Sequence, residues 1–350
     1  MKLKQNYTFI LLGILFSLLS IAQNVTTASP WPKITNTNQP WARWWWMGSA
    51  VDKPNIKKNL LDLQKAGIGG VEITPIYGVK GEEANFIDYL SPKWMEMLKY
   101  TIHVADSTGM QVDMVLGTGW PYGGPQVSLP YAATKLVVEK YNVKKGANII
   151  QEIKPDSTKE KMPATLLYVV GYGADGSYVD LTDQLKGTLL KWKAPKTDYT
   201  LYAVFSGKTG QQVKRAAPGG KGYTLYHYST EALTTYVAPF DKAFAGFEGK
   251  VRSIFNDSYE VDDARGQSNY TPLLFEEFKK RRGYDLRNEL PALFTKTHTD
   301  RTNRILCDYR MTIDELILED FTGVWKKWAQ SKGKIVRNQS HGSPANTLDL

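Results

Sequence analysis

Cysteine is nearly absent from this sequence, which has one, Cys307, among 350 residues. A single cysteine excludes any disulfide within the chain. Because Cys307 falls in a helical pattern, we predict that its thiol is buried among apolar side chains. The chain also has no basic helix, no run of five or more Lys or Arg residues, and no zinc or RNA-binding motif. These absences exclude a nucleic-acid partner.

Long apolar segments are also scarce. The clearest one, Phe9–Leu19, is too short to span a bilayer. Lys2 and Lys4 precede it, and Ser20-Ile21-Ala22 follows it, with small residues at positions 20 and 22. This order is typical of a secretory signal peptide, which we predict over residues 1–22. The chain is therefore expected to be secreted or periplasmic, with no membrane segment once the signal peptide is removed.

Apolar and charged residues are present in ordinary globular proportions, 42% and 23%. Aromatic residues are plentiful, with ten Trp and 20 Tyr. Most are expected in the core, but indole faces also stack on the apolar face of a sugar ring. The formal net charge is +9, or about +7 without the two lysines of the predicted signal peptide. A modest positive charge suits an acidic polysaccharide.

Short strands and helices alternate over residues 40–130. The apolar patterns predict strands at 43–47, 70–74 and 110–116, with helices at 52–66 and 91–109. This alternation is typical of a parallel sheet with covering helices. We interpret the segment as the first part of a barrel.

The pattern changes over residues 131–228. Three segments are rich in β-branched and aromatic residues: Lys135–Tyr141, Thr165–Tyr172 and Tyr199–Phe205. Turn sequences such as Gly173–Gly176 separate them. The sequence therefore predicts an all-β insertion after the third strand.

The alternation resumes over residues 229–350. The predicted helices are 230–240, 271–283 and 300–331, and the predicted strands are 251–255 and 334–338. The predicted fold class is α/β, a (β/α)8 TIM-type barrel interrupted by the insertion. We expect the barrel to be incomplete in this chain, because the sequence supplies five strands where closure takes eight.

Polar and aromatic side chains follow these strands at the edge where parallel barrels carry their functional groups. They are Glu72 on the second strand, Trp120 and Tyr122 after the third, Asp257 and Glu260 after the fourth, and Asn338 and His341 after the fifth. We predict that these residues form the site and contact substrate.

Asp257 and Glu260 form a D-x-x-E pair at one strand end. Glycoside hydrolysis needs one carboxylic acid to protonate the leaving oxygen and one carboxylate to activate water or attack the anomeric carbon. Barrel geometry would direct one of the pair into the cleft; solvated loop carboxylates and a metal site are the alternatives. Glu72 is a further candidate unless it only pairs with a nearby arginine. Asp113 lies inside its strand, where a structural role is expected.

The glycine-rich run 117–125 carries Trp120 and Tyr122. It contains no lysine, so it does not fit a phosphate-binding loop. It is either a tight turn or a loop that places these two aromatic rings beside a sugar. The absence of a G-x-S-x-G sequence counts against an esterase. The remaining histidines lack metal-ligand spacing: His103, His227 and His298.

Several ordered motifs together resemble one enzyme family. They are Trp41–Gly48, Gly69–Ile73, Gly117–Pro121, Phe255–Glu260, Phe275–Tyr284 and Asn338–Gly342. In this order they resemble the N-terminal half of the catalytic region of glycoside hydrolase family 106, whose known members are α-L-rhamnosidases. The resemblance runs from about Pro40 to the end of the chain and is weakest in the insertion.

The resemblance implies a calcium-assisted, inverting enzyme that releases terminal L-rhamnose from plant polysaccharides such as pectin. By this resemblance Glu260 is the general acid, and we expect partial burial to raise its pKa. Calcium prefers several oxygen ligands, and Asn256, Asp257 or Glu72 could supply some of them. These residues do not single out a ligand set.

The general base has no counterpart in the matched motifs, and family members are several times longer. We therefore expect the base on a strand beyond Leu350, so that the chain is the N-terminal part of the catalytic region. The alternative is a catalytically inactive carbohydrate-binding fragment or remnant that lacks the base. Hydrolysis of another glycan by a related barrel also stays open, because a fold does not name a sugar.

Overall fold

A computed structural model describes residues 31–246, 250–261, 269–339 and 342–343 of the chain. The predicted signal peptide, residues 1–22, lies outside these ranges. Within them, no helix combines the length and apolar character that a transmembrane span requires.

Sixteen strands are present in the described ranges. They are β1 Trp41–Met47, β2 Gly70–Ile76, β3 Gln111–Val115, β4 Gly123–Gly124, β5 Thr134–Val143, β6 Asn148–Glu152, β7 Ala164–Gly173, β8 Tyr178–Asp180, β9 Leu185–Lys186, β10 Leu189–Lys193, β11 Tyr199–Lys208, β12 Tyr223–Thr224, β13 Ser253–Asn256, β14 Tyr259–Glu260, β15 Ile335–Asn338 and β16 Gly342–Ser343.

The helices lie between these strands. They are α1 Lys53–Lys65, α2 Pro92–Ser107, α3 Thr230–Phe244, α4 Leu274–Arg282, α5 Pro291–Phe294, α6 Asp300–Ile317 and α7 Gly323–Ser331, with short 3-10 turns at Glu83–Asn85, Leu129–Tyr131, Thr182–Gln184 and Leu286–Asn288. The predicted long helix at 300–331 is confirmed, but a π-helical segment, Leu318–Thr322, divides it into α6 and α7. The Asp52 and Ser91 side chains cap α1 and α2 by accepting hydrogen bonds from backbone N–H groups of the first turn.

Five strands form one parallel sheet in the order β1-β2-β3-β13-β15. All four neighbouring pairs are parallel. The predicted strands are therefore confirmed, as is the parallel sheet. Among the described residues β1 and β15 are the sheet edges, so a closed barrel stays a prediction.

The segment between β3 and β13 contains the antiparallel β insertion that the sequence predicts. A four-stranded sheet, β5-β11-β7-β8, lies beside a three-stranded sheet, β6-β10-β9. Buried side chains from both sheets, such as Val169 and Leu190, form a core separate from the main one. The alternation of β-branched and aromatic residues with polar ones explains the pairing of these strands. The limits of the insertion, 131–228, stay a prediction.

Helices α2 and α7 pack against strands β3 and β15 of the parallel sheet. Trp46 on β1 packs against Trp94 on α2, with ring centroids 5.6 Å apart. Successive strand residues point to opposite faces, so the neighbouring Trp45 lies on the other face, where 43% of it is exposed.

Cys307 is exposed, so the prediction that its thiol is buried is wrong. Helix α6 buries Ile305 and Ile313, and the thiol lies outside that apolar stripe.

Candidate functional site

Glu260 lies at the carboxyl edge of the parallel sheet. Strand β13 ends at Asn256, and the chain continues through Asp257 and Ser258 into the two-residue strand β14, which contains Glu260. The Glu260 side chain is 31% exposed. The Ser258 hydroxyl donates a hydrogen bond to its Oε1 atom at 3.0 Å.

A second segment reaches Glu260 from the insertion. We call residues 209–224, which follow β11 and end with β12, the return segment. The Lys214 ammonium on this segment donates to Glu260 Oε2 at 3.2 Å. The Gln211 side-chain amide donates to the Glu260 carbonyl at 2.7 Å. The return segment therefore holds both the side chain and the backbone of Glu260.

The glycine-rich run 117–125 pairs with the return segment through backbone hydrogen bonds. Trp120 N donates to Lys214 O at 3.1 Å, and Lys214 N donates to Trp120 O at 2.8 Å. Gly119 makes this approach possible. Its φ is +60°, and a Cβ atom there would lie 1.9 Å from Lys214 O. The pairing brings the Trp120 indole within hydrogen-bonding reach of the Glu260 carboxyl.

The pKa of Glu260 is lowered, not raised as the sequence led us to expect. Burial acts to raise it, but three groups oppose burial: the Ser258 hydroxyl, the Lys214 ammonium and the Trp120 indole. Each donor stabilises the ionised form of the carboxyl. Burial is the strongest single influence on this pKa, but the three donors together outweigh it. In the free protein Glu260 is therefore a carboxylate at neutral pH.

Glu72 is buried on the face of the parallel sheet opposite Trp46 and is held by two arginines. Arg43 Nε donates to Glu72 Oε1 at 2.9 Å, and Arg337 Nη2 donates to Oε2. Arg337 also pairs with Asp113 at 3.1 Å, and Asp113 accepts two hydrogen bonds from Arg252. We call these five residues, with Asp257, the ionic network. Glu72 thus has the arginine pairing that the sequence left open, and Asp113 has a structural role.

Asp257 and the two asparagines lie beside this network. Asp257 is buried, accepts from its neighbour's backbone, Ser258 N, at 2.8 Å, and pairs with Arg43 at 3.3 Å. Asn256 Nδ2 donates to Asn338 Oδ1 at 2.7 Å. The structure therefore brings Asp257 and Asn338 to the carboxyl edge near Glu260. The predicted ligand contact of His341 lies outside the described residues.

Tyr122 differs from its predicted place beside a sugar. Its side chain is buried, and its ring stacks on Tyr236 and meets Phe321 and Trp325 edge-on. Its hydroxyl donates to Phe255 O at 3.4 Å. Of the two aromatic residues proposed for this loop, Trp120 lies next to Glu260 and Tyr122 packs in the core.

The carboxylates that could hold calcium already have other partners. Both Glu72 oxygens face arginines, and Asp257 accepts from Arg43 and from its neighbour's backbone N–H. Within the described ranges, no group of three or more His, Cys, Asp or Glu side chains is arranged to hold a metal ion. As placed here, these residues do not fit a calcium site.

Sequence reasoning missed the residues that surround Glu260 and Glu72. Lys214 and Gln211 are polar residues in a turn-rich part of the insertion, and nothing in their spacing connects them to Glu260. Arg43 gave a weak signal, because a charged residue within the apolar strand Trp41–Met47 needs a buried counterion. Its partner could not be named from the sequence.

The fold and the site together define a class of protein. A parallel α/β sheet that presents a hydrogen-bonded glutamate beside an indole at its carboxyl edge is an arrangement suited to carbohydrate chemistry. The sequence profile of glycoside hydrolase family 106, described as alpha-L-rhamnosidase, matches residues 33–172 and 172–349. The chain belongs to this family.

Two individual proteins are similar to the chain. A rhamnosidase structure from Novosphingobium sp. PP1Y has a TM-score of 0.69 at 17% identity, covering 88% of this chain and 46% of that one, a likeness of fold. A Formosa agariphila protein, provisionally named a beta-glucuronidase, is 25% identical over 397 aligned residues, covering 97% of this chain and 33% of that protein. The chain thus spans about a third of this relative's length and less than half of the solved chain's.

Proposed function

We propose that the chain is part of a secreted α-L-rhamnosidase that removes L-rhamnose from plant polysaccharides of the pectin type. Family membership supports the reaction class. The observation that carries the proposal is the Glu260 carboxyl, partly exposed at the sheet edge beside Trp120 and Lys214. A flat indole next to a catalytic carboxyl gives a sugar ring a surface to stack on while its glycosidic oxygen meets the acid.

In this proposal Glu260 is the general acid of an inverting reaction. The C1–O bond breaks, the leaving oxygen takes the Glu260 proton, and water activated by a second carboxylate attacks from the opposite face of the sugar. Asp257 and Glu72 do not fit the second role, since arginines hold both. The base is therefore expected from another part of the protein. The five-stranded sheet is proposed as part of a (β/α)8 barrel, and Trp120, Asp257 and Asn338 as its substrate-side residues.

Calcium enters the proposal only through the family. Because the arginines occupy Glu72, any bound calcium would take its oxygen ligands elsewhere, and no step is assigned to it. Secretion or export to the periplasm is likewise part of the proposal, resting on the predicted signal peptide. N-terminal sequencing of the protein purified from its host tests it: a mature chain that begins after residue 22 supports export, and a retained Met1 contradicts it.

The test of function uses the full-length protein and an aryl α-L-rhamnoside. Release of L-rhamnose is expected. Glu260→Gln should lower kcat/KM by roughly 10²- to 10⁴-fold, the usual size of a general-acid contribution. Glu96→Gln, in an exposed pair with Lys53, is the matched control and should keep full activity. Normal turnover by the Glu260→Gln protein would refute the role of Glu260. NMR of the first-formed anomer tests inversion.

A second candidate substrate is a β-glucuronide, because the Formosa agariphila relative carries that name. Lys214 at the site would suit the carboxylate of a uronic acid. Parallel assays with aryl α-L-rhamnoside and aryl β-D-glucuronide separate the two, since each product is distinct. Retention on pectin in affinity electrophoresis without cleavage of either glycoside would instead support the carbohydrate-binding alternative.

A further inference from the structure

We infer that Lys214 is a positioning residue: its ammonium beside the carboxyl favours the carboxylate form of Glu260 and thereby sets the pH at which this acid is protonated. The inference rests on the proposed function for its catalytic meaning. It assigns a role in the site to the β insertion, which supplies Lys214 through the return segment.

The contacts of the return segment with Glu260 are specific. Lys214 Nζ reaches Glu260 Oε2 at 3.2 Å, while Gln211 binds the Glu260 carbonyl at 2.7 Å. Two backbone hydrogen bonds to Trp120 fix the position of Lys214 along the segment. The backbone of Lys214 and the backbone of Glu260 are therefore both fixed in place, so the Lys214 side chain starts from a defined position within reach of the carboxyl.

The pair lies in a setting where charge matters. The Lys214 and Glu260 side chains are 38% and 31% exposed, so water screens their attraction only in part. Among the described residues, Lys214 is the charged group in hydrogen-bonding contact with the Glu260 carboxyl; Ser258 and Trp120 are its uncharged donors. Lys214 is consequently the residue whose loss most changes the electrostatic potential at this carboxyl.

This arrangement has a direct consequence for proton transfer. A protonated Glu260 offers one oxygen as a donor, and the positive charge of Lys214 opposes that protonation. Once the proton has passed to the leaving oxygen, the same ammonium stabilises the carboxylate that forms. Lys214 therefore favours transfer of the Glu260 proton to the leaving oxygen. It disfavours the uptake of a new proton from solvent, which lowers the pH at which Glu260 is protonated.

The experiment measures the protonation of Glu260 directly in the full-length protein. Carbodiimide reacts with protonated carboxyl groups, so peptide mass spectrometry of labelled Glu260 against pH gives its titration midpoint. The variants are Lys214→Met, Lys214→Gln and the charge-retaining Lys214→Arg. Lys144→Met is the matched control, because Lys144 pairs with Asp198 at 2.8 Å elsewhere in the insertion. Circular dichroism confirms folding, and the Gln variant replaces the Met variant if that one unfolds.

We expect the Glu260 midpoint to move upward in Lys214→Met and Lys214→Gln, and to stay near the wild-type value in Lys214→Arg and Lys144→Met. A midpoint unchanged in both neutral variants would overturn the inference. With the aryl rhamnoside, the basic limb of kcat/KM should move upward in step with the labelling midpoint; a limb that stays fixed while the midpoint moves would also overturn it. If no glycoside is cleaved, the proposed function fails while the labelling still decides the effect of Lys214 on Glu260.

Discussion

Replacing Glu72 by Gln tests whether this carboxylate is structural or part of the reaction. Glu72 joins two arginines that come from opposite ends of the sheet, Arg43 on β1 and Arg337 on β15. The substitution keeps the shape of the side chain and one acceptor oxygen but removes its charge. Both arginines then lose their shared counterion, while Asp257 and Asp113 still pair with them.

The size of the effect follows from the exposure of each partner. Breaking a fully buried ion pair costs about 3 to 5 kcal/mol, because the remaining charge stays unpaired away from water. Glu72 is only 7% exposed, but the side chains of Arg43 and Arg337 are 31% and 41% exposed. Water can therefore solvate the freed guanidinium groups in part. We expect a loss of about 2 to 3 kcal/mol in the free energy of unfolding.

The assay is urea unfolding followed by circular dichroism, with the free energy taken from linear extrapolation. Glu96→Gln is the matched control: Glu96 forms a pair of 2.6 Å with Lys53, but the two side chains are 54% and 47% exposed. Exposed pairs contribute about 0 to 1 kcal/mol, so the control should stay within about 0.5 kcal/mol of wild type. The difference between the Glu72→Gln and Glu96→Gln variants measures the effect of burial on the ion pair.

A double-mutant cycle between Glu72→Gln and Arg337→Gln completes the test. If the pair joins the two ends of the sheet, the variants couple by about 1 kcal/mol or more. Additivity within about 0.5 kcal/mol would refute the reasoning. So would a Glu72→Gln protein of unchanged stability that has lost its activity, because Glu72 would then act on substrate and not on the arginines.

Two further predictions concern stability. Burial lowers the pKa of His227 to about 4, below its ordinary value of 6.5, so the unfolded chain takes up this proton first. The contribution of His227 to the free energy of unfolding is then full above pH 6.5 and falls as the pH drops toward 4, by up to about 3 kcal/mol. In urea unfolding at several pH values, His227→Phe should lack this pH-dependent loss. A His227→Phe protein with the same pH dependence as wild type would contradict the prediction. Gly119→Ala should destabilise the protein by more than Gly176→Ala, since both have positive φ but only Gly119 would place a Cβ atom against Lys214 O. Equal losses in urea unfolding would show that the return segment does not press on Gly119.

Local patterns determined the secondary structure. The strands of the parallel sheet and the helices between them were readable because apolar periodicity, capping residues and turn residues act within a few positions along the chain. The motif order likewise led to the family that the sequence profile confirms.

Burial and charge were decided by tertiary structure. Tyr122 packs in the core and Cys307 is exposed, because each outcome depends on which neighbours the fold supplies and not on the local pattern. The pKa of Glu260 is lowered where isolated burial would raise it, since donors from three segments meet at one carboxyl.

The pairings that form the site join residues far apart in the chain. Lys214 and Glu260 are 46 positions apart, and Arg337 and Glu72 are 265 apart. The sequence by itself determined which strands end in polar residues, because that information is local. Only the folded chain decided which of those residues meet, because an ion pair depends on distance in space, and spacing along the sequence does not encode that distance across an insertion.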